Sequence, residues 1–174
     1  MSPETIPATG VQIRRATVED AATVLTLLLE LAAHEHTAHA VHATLDDWRC
    51  MLANPAVLVL LAVSDDQPVG YVSGIRQLNL WLGRDIFAMD DLYVRAEARD
   101  RGIGGRLMAA LADHLTSQTD DRPLITWGVR DDNDAGHRFY ERLGARLRTK
   151  VVAAWTPNAY GSYVSSRPPL DAKA

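Results

Sequence analysis

Residues 86–115 read IFAMDDLYV, RAEARDRGIGG and RLMAALADHL in succession, and they divide into a strand, a glycine-bearing loop and a helix. The first segment is an apolar and aromatic run with Asp90 and Asp91 embedded in it. In the last, Leu107, Leu111 and Leu115 recur at i, i+4 and i+8, which is one face of a helix. Between them stands Arg99-Asp100-Arg101-Gly102-Ile103-Gly104, followed by Gly105 and Arg106. A strand that ends in a Gly-rich turn running straight into a helix leaves several backbone N–H groups unpaired and pointed outward, with the positive end of the helix dipole behind them. That arrangement seats a pyrophosphate. A side chain at 102 or 104 would hold phosphates off the amides or forbid the backbone angles of the turn, and Arg99, Arg101 and Arg106 add positive charge. Two other phosphate motifs do not fit, because no Gly-Lys-Ser/Thr follows and Gly102-Ile103-Gly104 runs on to Leu107 where a dinucleotide fingerprint needs glycine. For a Gly-x-Gly standing alone, plain turn and cap glycines are an equal reading.

Working outward, residues 11–17 alternate as a short strand, and Thr17 with Asp20 forms a capping box that opens a helix carrying Val24, Leu25, Leu28, Leu29 and Leu31. A histidine-rich connector follows, and Thr44 with Asp47 repeats the capping pattern for a second short helix toward Met51. Residues 58–64 and 69–75 are apolar strands separated by Asp65-Asp66-Gln67-Pro68, a turn composition that makes them an antiparallel hairpin. The strand at 86–94 is third in this meander, reached through a long connector at 76–86. After the glycine-loop helix, residues 123–129 read as a strand, 133–143 as a helix stopped by Gly144, and 146–155 as a final strand.

The chain of 174 residues fits one domain, 1–174, with its core at about 11–155 and loose tails at 1–9 and 166–174. Hydrophobic residues at 47% and charged residues at 23% are ordinary for a globular protein. A formal net charge of -4 supplies no basic field for nucleic acid and suits a cationic small substrate. Cys50 is the only cysteine, so no disulfide framework exists within the chain. The N-terminus has no basic region followed by an apolar one, and the longest apolar run, 56–63, is too short for a bilayer. A cytoplasmic protein without a membrane partner is expected.

Arg-x-x-Gly-x-Gly at 99–104, preceded by Asp91-Leu92-Tyr93-Val94, resembles the acetyl-CoA-binding motif of the GNAT superfamily of N-acetyltransferases, and WGVRDDNDAGHRFYERLGA at 127–145 resembles that family's second motif. The resemblance covers about 11–155. It implies an α/β (α+β) fold with a central mixed, mostly antiparallel sheet, flanking helices and a splayed parallel strand pair at 86–94 and 123–129, into which the pantetheine of acetyl-CoA fits. Carried over by motif, the main chain of Leu92, Tyr93 and Val94 bonds the pantetheine amides. The loop of Arg99, Arg101, Gly102, Ile103, Gly104, Gly105 and Arg106 holds the pyrophosphate, with no metal. Asn133 contacts the cofactor, its other reading being a plain N-cap.

Tyr140 is the expected acid, since the departing thiolate must be protonated and a phenol with a pKa near ~10 beside the sulfur can do so; its other reading is a packed tyrosine. Asn133 and Tyr140 lie seven apart, two helical turns, which lets both face the cofactor while Phe139 and Leu143 face the core. The acceptor has the opposite problem, because an alkylamine with a pKa near ~10.4 is ammonium at neutral pH and only the free amine attacks. Asp90, acting through water, is the expected base and Asp91 the partner of the ammonium, on the argument that successive strand residues face opposite ways. An ion pair of either with Arg76 or Arg84 is the alternative.

Within the superfamily the chain is most similar to the diamine (spermidine/spermine) acetyltransferases. There a Trp-x-Gly and a central-strand carboxylate pair line the amine site, matched here by Trp81-Leu82-Gly83 and Asp90-Asp91. That group's connector is rich in carboxylates, whereas Glu35 here stands among His34, His36, His39 and His42. These histidines read as solvated loop residues or acceptor-site bases, and metal binding is not expected without a Cys or a paired-carboxylate pattern. His114 and His137 are expected at the surface, and Trp48, Trp127 and Trp155 in the core. The implied partner is a small-molecule amine, a diamine, polyamine or amino-acid-like compound. The alternatives are a protein or peptide N-acetyltransferase, disfavoured if the 76–86 connector closes the acceptor site, and a non-catalytic acetyl-CoA-binding domain. Trp155, Tyr160 and Tyr163 suggest an apolar face that a second subunit covers, hence a homodimer.

Overall fold

The segment Val57–Ser64 carries no charge, and its residues 58–62 are all buried. A strand apolar on both faces must be covered on both, and in the computed structural model, which describes residues 10–117 and 122–167, it is an interior strand of the sheet. The strands are β1 (Val11–Arg15), β2 (Val57–Ser64), β3 (Gln67–Asn79), β4 (Arg84–Val94) and β5 (Ile125–Thr126), in the spatial order β1-β2-β3-β4-β5. The first four are antiparallel neighbours, and β5 runs parallel to β4.

On one face of the sheet lie α1 (Ala21–His34) and α2 (Leu45–Ala53). Their Val24, Leu27 and Trp48 pack with Val59, Leu61, Tyr71 and Tyr93, the alternate residues of β2, β3 and β4. Leu58 and Phe87 face the other way, toward Leu115 of α3 (Ile103–Ser117). The spacing of Leu107, Leu111 and Leu115 buries all three, each stabilising by roughly 1.5–3 kcal/mol. Both capping boxes form: the Thr44 hydroxyl accepts from the Asp47 N–H at 3.2 Å while the Asp47 carboxylate accepts from the Thr44 N–H at 2.8 Å. Thr17 and Asp20 cap a 3-10 turn, Val18–Asp20, that leads into α1.

Asp65 and Asp66, both left-handed with φ of 49° and 60°, make the two-residue turn of the β2–β3 hairpin. The 76–86 connector is not a loop. Pairing continues to Asn79 opposite Arg84, and the Asn79 side chain closes the turn by accepting from the N–H groups of Trp81 and Leu82 at 3.0 and 3.1 Å. Ladder pairing overrides the polar composition of 76–79. The expected strand at 123–129 shrinks to Ile125–Thr126, matched with Phe87 and Ala88.

The chain divides into two compact units, one ending at Gly128 and one beginning at Val129. In the second, α4 (Asp134–Arg142) ends at Leu143 and Gly144, whose φ of 84° stops the helix as expected. The final strand expected at 146–155 does not form: Val151 and Val152 are exposed, and no ladder partner exists among the described residues. Instead α5 (Pro157–Ser165) follows, capped by Thr156 with proline in its first turn. The Thr-Pro pair was a legible start signal. Of the expected tails, 1–9 and 168–174 lie outside the described residues.

Candidate active site

Parallel pairing between β4 and β5 stops after two matched pairs. Beyond Ala88 the β4 edge turned away from β3 has no strand partner among the described residues. Such an edge presents unpaired backbone groups to any extended ligand. Leu92, Tyr93 and Val94 lie on this stretch, each matched on its other side by Val72, Tyr71 and Gly70 of β3.

The register slips in the same stretch. Ser73 stands opposite Asp91 and Gly74 opposite Met89, which leaves Asp90 as the extra residue of a β-bulge. Gly74 makes the close approach possible, since a Cβ there would collide with the Ala88 carbonyl and Met89. The bulge corrects the argument from strict alternation: across it Asp90 and Asp91 are not simply on opposite faces. Asp90 is exposed and Asp91 half-buried, and among the described residues neither is in an ion pair, so the alternative of pairing with Arg76 or Arg84 is not realised. Although Asp90 faces solvent, partial desolvation of its carboxyl at the bulge, and then the Asp91 charge, push it above the usual carboxylate range. Burial pushes Asp91 up too, and two hydrogen bonds pull it back.

Those bonds come from β3. The buried Tyr71 hydroxyl donates to Asp91 Oδ2 at 3.0 Å, and the buried Ser73 hydroxyl donates to the same oxygen at 3.3 Å. Sequence reasoning missed both residues. Their signal was the alternation of Tyr71 and Ser73 inside an apolar strand, which places two hydroxyls on one face.

At the end of β4 the chain turns through a 3-10 turn, Ala96–Ala98, into the glycine loop. Gly102 has φ of 72° and Asp100 φ of 60°, both in the left-handed region, which favours glycine at position 102. Gly104 lies within α3 without a left-handed φ, so its backbone conformation does not call for glycine. The first helical bond runs from the Arg106 N–H to the Gly102 carbonyl at 3.0 Å, which leaves the N–H groups of Ile103, Gly104 and Gly105 without acceptors among the described residues. Amides at the start of a fifteen-residue helix fit a pyrophosphate. Arg101 is half-buried at the loop. Arg99 donates to the Val94 carbonyl at 2.9 Å, and Arg106 also reaches the Val11 carbonyl of β1. Two of the three arginines therefore brace the loop as well as charging it.

In the second unit, Asn133 caps α4 by accepting from the Gly136 N–H at 2.8 Å, which is the N-cap reading. Tyr140 is the buried residue of that helix, in edge contact with Phe139 at 5.1 Å between ring centres. The expected division of faces is altered: Phe139 is half-buried and Leu143 exposed. Glu35 is the C-cap of α1, exposed, with His36 beside it at φ of 59°. Trp81 sits at the tip of the β3–β4 hairpin, 99% exposed. The long hairpin replaces the closing connector, so that ground for disfavouring a peptide acceptor is withdrawn.

Among the described residues no group of His, Cys, Asp and Glu could hold a metal. His114 and His137 are half-buried on their helices. His137 contacts the Arg130 carbonyl at 2.9 Å, and His114 lines a small cavity with Arg15 and Arg76. Burial, reinforced by those two cations, pushes its pKa down. Trp48 is core as expected and Trp127 half-buried, but Trp155 is 60% exposed.

Residues 22–145 match the model of the acetyltransferase (GNAT) family, and the chain belongs to that family. It is thereby an N-acetyltransferase, of a family that uses acetyl-CoA. Thialysine N-epsilon-acetyltransferase of Bos taurus is 27% identical over 155 residues, covering 81% of this chain and 87% of that one. Aminoalkylphosphonate N-acetyltransferase of Salmonella typhimurium is 29% identical over 133 residues, covering 76% and 83%. Among solved structures, an aminoglycoside acetyltransferase from an uncultured soil metagenomic sample, in complex with sisomicin, aligns with a TM-score of 0.73 at 16% identity, covering 85% of this chain and 96% of that one. That last likeness shows the fold alone. The resemblance to the diamine acetyltransferase group stands with the sequence relatives.

Proposed function

We propose that the protein transfers the acetyl group of acetyl-CoA directly to a primary amine of a small molecule, a diamine, polyamine or amino-acid-like compound. The observation that carries this is the pair Asp90 and Asp91, two carboxylates with no cationic partner among the described residues, at a bulge on the open edge of β4. Unpaired carboxylates beside one another favour a ligand that brings positive charge, and the names of both sequence relatives given above denote amine acetylation. The pantetheine lies along Leu92, Tyr93 and Val94, and the amides of Ile103, Gly104 and Gly105 hold the pyrophosphate without a metal.

Asp91 receives the ammonium, and Asp90 takes one proton from it through water. The freed nitrogen forms a bond to the thioester carbonyl carbon as the C–S bond breaks. Tyr140, assigned by its motif, gives its phenolic proton to the leaving thiolate and regains one from solvent, while the nitrogen sheds its second proton to solvent. No acetyl-enzyme forms: Cys50 is exposed on α2, and no base is assigned to it. Glu35 and Trp81 are assigned to the acceptor, and Asn133 to the cofactor.

The family match, 22–145, runs across Gly128, which supports reading that boundary as internal to one domain; its extension over 1–174 is part of the proposal. A homodimer, covered by the face of Trp155, Tyr160 and Tyr163, is part of the proposal. So is a cytoplasmic site of action, on the single cysteine; no helix among the described residues is long and apolar enough to cross a membrane. The test is a screen of amines with acetyl-CoA that follows release of free thiol. Turnover with small diamines or amino acids is expected, and thiol release only with peptides would replace the acceptor class.

A further inference from the structure

We propose that Tyr71 and Ser73 are positioning residues that set the acceptor-binding carboxylate of Asp91; this rests on the reading of Asp91 as the ammonium partner. Both hydroxyls donate to one oxygen, Oδ2, at 3.0 and 3.3 Å. Among the described residues, Oδ1 accepts nothing. The carboxylate is held by one oxygen from below, and the other is left to accept from a ligand. Two fixed donors on one oxygen restrict the carboxyl plane, so an incoming ammonium meets an oriented acceptor rather than a rotor, and less conformational entropy is lost on binding.

The support is itself rigid. Tyr71 is fully buried in the core cluster that holds Val24, Leu27, Trp48, Val59, Leu61 and Tyr93, its ring tilted against that of Tyr93 at 6.4 Å between centres, and Ser73 is buried as well. Burial, then the neighbouring Asp91 charge, raises the Tyr71 hydroxyl far above its usual range, so it remains a donor wherever the enzyme works. The titratable groups facing this network are Asp90 on β4, Glu35 at the end of α1, whose charge reaches Tyr71, and the Tyr93 hydroxyl. From α2 and β2 the packed residues are Trp48, Val59 and Leu61, none of them ionisable. With no cation among these neighbours, the two hydroxyls are what favours the charged form of Asp91.

The test uses Tyr71→Phe, which keeps the ring and removes only the donor, and Ser73→Ala as a second, smaller change, beside Asp91→Asn. Each donor removed from a charged acceptor should raise the Asp91 pKa by about one pH unit, read directly by carbon NMR titration of the Asp91 carboxyl, with no substrate present. In turnover, KM for the amine should rise about tenfold with kcat near the parent value and acetyl-CoA affinity unchanged, and the acid limb of kcat/KM should move to higher pH. A Tyr71→Phe protein with native circular dichroism, an unmoved Asp91 titration and an unmoved amine KM would overturn the assignment, even if Asp91→Asn proved damaging. An Asp91→Asn enzyme with the parent's amine KM would overturn the ammonium-partner reading and the assignment of Tyr71 and Ser73 with it. A loss confined to melting temperature, with the titration and KM unchanged, would make the two hydroxyls structural only and also overturn it.

Discussion

Two carboxylates at one bulge carry a cost that the fold bears for its chemistry. Partial desolvation and repulsion from Asp91 raise Asp90, so the folded state holds its proton to higher pH than the unfolded chain does. Stability from this group is therefore full below the unfolded carboxylate pKa and declines as pH rises through the folded one. At neutral pH its charge is a liability, and Asp90→Asn should raise the melting temperature while it lowers turnover and moves the rising limb of the rate to higher pH. A calorimetric scan and a pH–rate profile of that variant check both halves. If the variant melts lower than the parent, the two carboxylates do not repel as argued. Tyr140→Phe should cut turnover by roughly 10²- to 10⁴-fold, the usual worth of a general acid, with acetyl-CoA affinity retained. Turnover near the parent's rate would pass the acid's role to water.

The loop between β4 and α3 combines two uses of glycine that only its dihedrals separate. Gly102 takes a left-handed backbone, which favours glycine, whereas the use proposed for Gly104 is clearance over the amides of residues 103–105, which have no acceptors among the described residues. Gly104→Leu is expected to leave the fold intact, since the helix accepts leucine, and to abolish acetyl-CoA binding by holding the pyrophosphate away. Isothermal calorimetry checks this, and an unchanged affinity would sink the phosphate-seat reading. The strand edge before the loop pairs with β5 at two residues and with no further strand among the described residues, which is the opening that the proposed pantetheine site uses.

At the scale of the molecule, Trp155 stands in edge contact with Tyr160 and Tyr163, at 6.0 and 5.2 Å between ring centres, all three exposed, as are Val151, Val152 and Val164 in the same stretch of chain. Exposed aromatic clusters of this kind are covered in assemblies, and light scattering should give about 38 kDa, twice the 19.1 kDa chain. A 19.1 kDa particle at micromolar concentration would refute the dimer. The sequence by itself determined the order of elements through residue 144, the two Thr/Asp caps, the glycine loop and the family, because capping, periodicity and left-handed glycines act over a few residues. It failed where structure depends on pairing at a distance. The ladder through Asn79 and Arg84, the two-residue β5 and the missing strand at 146–155 follow from which backbone edges meet, and no local propensity reports that. The same holds at the site. Asp90 and Asp91 were legible as residue types in a strand, but the bulge that breaks their alternation, and the hydroxyls of Tyr71 and Ser73 that reach Asp91 across eighteen to twenty positions of chain, exist only once β3 and β4 are in register.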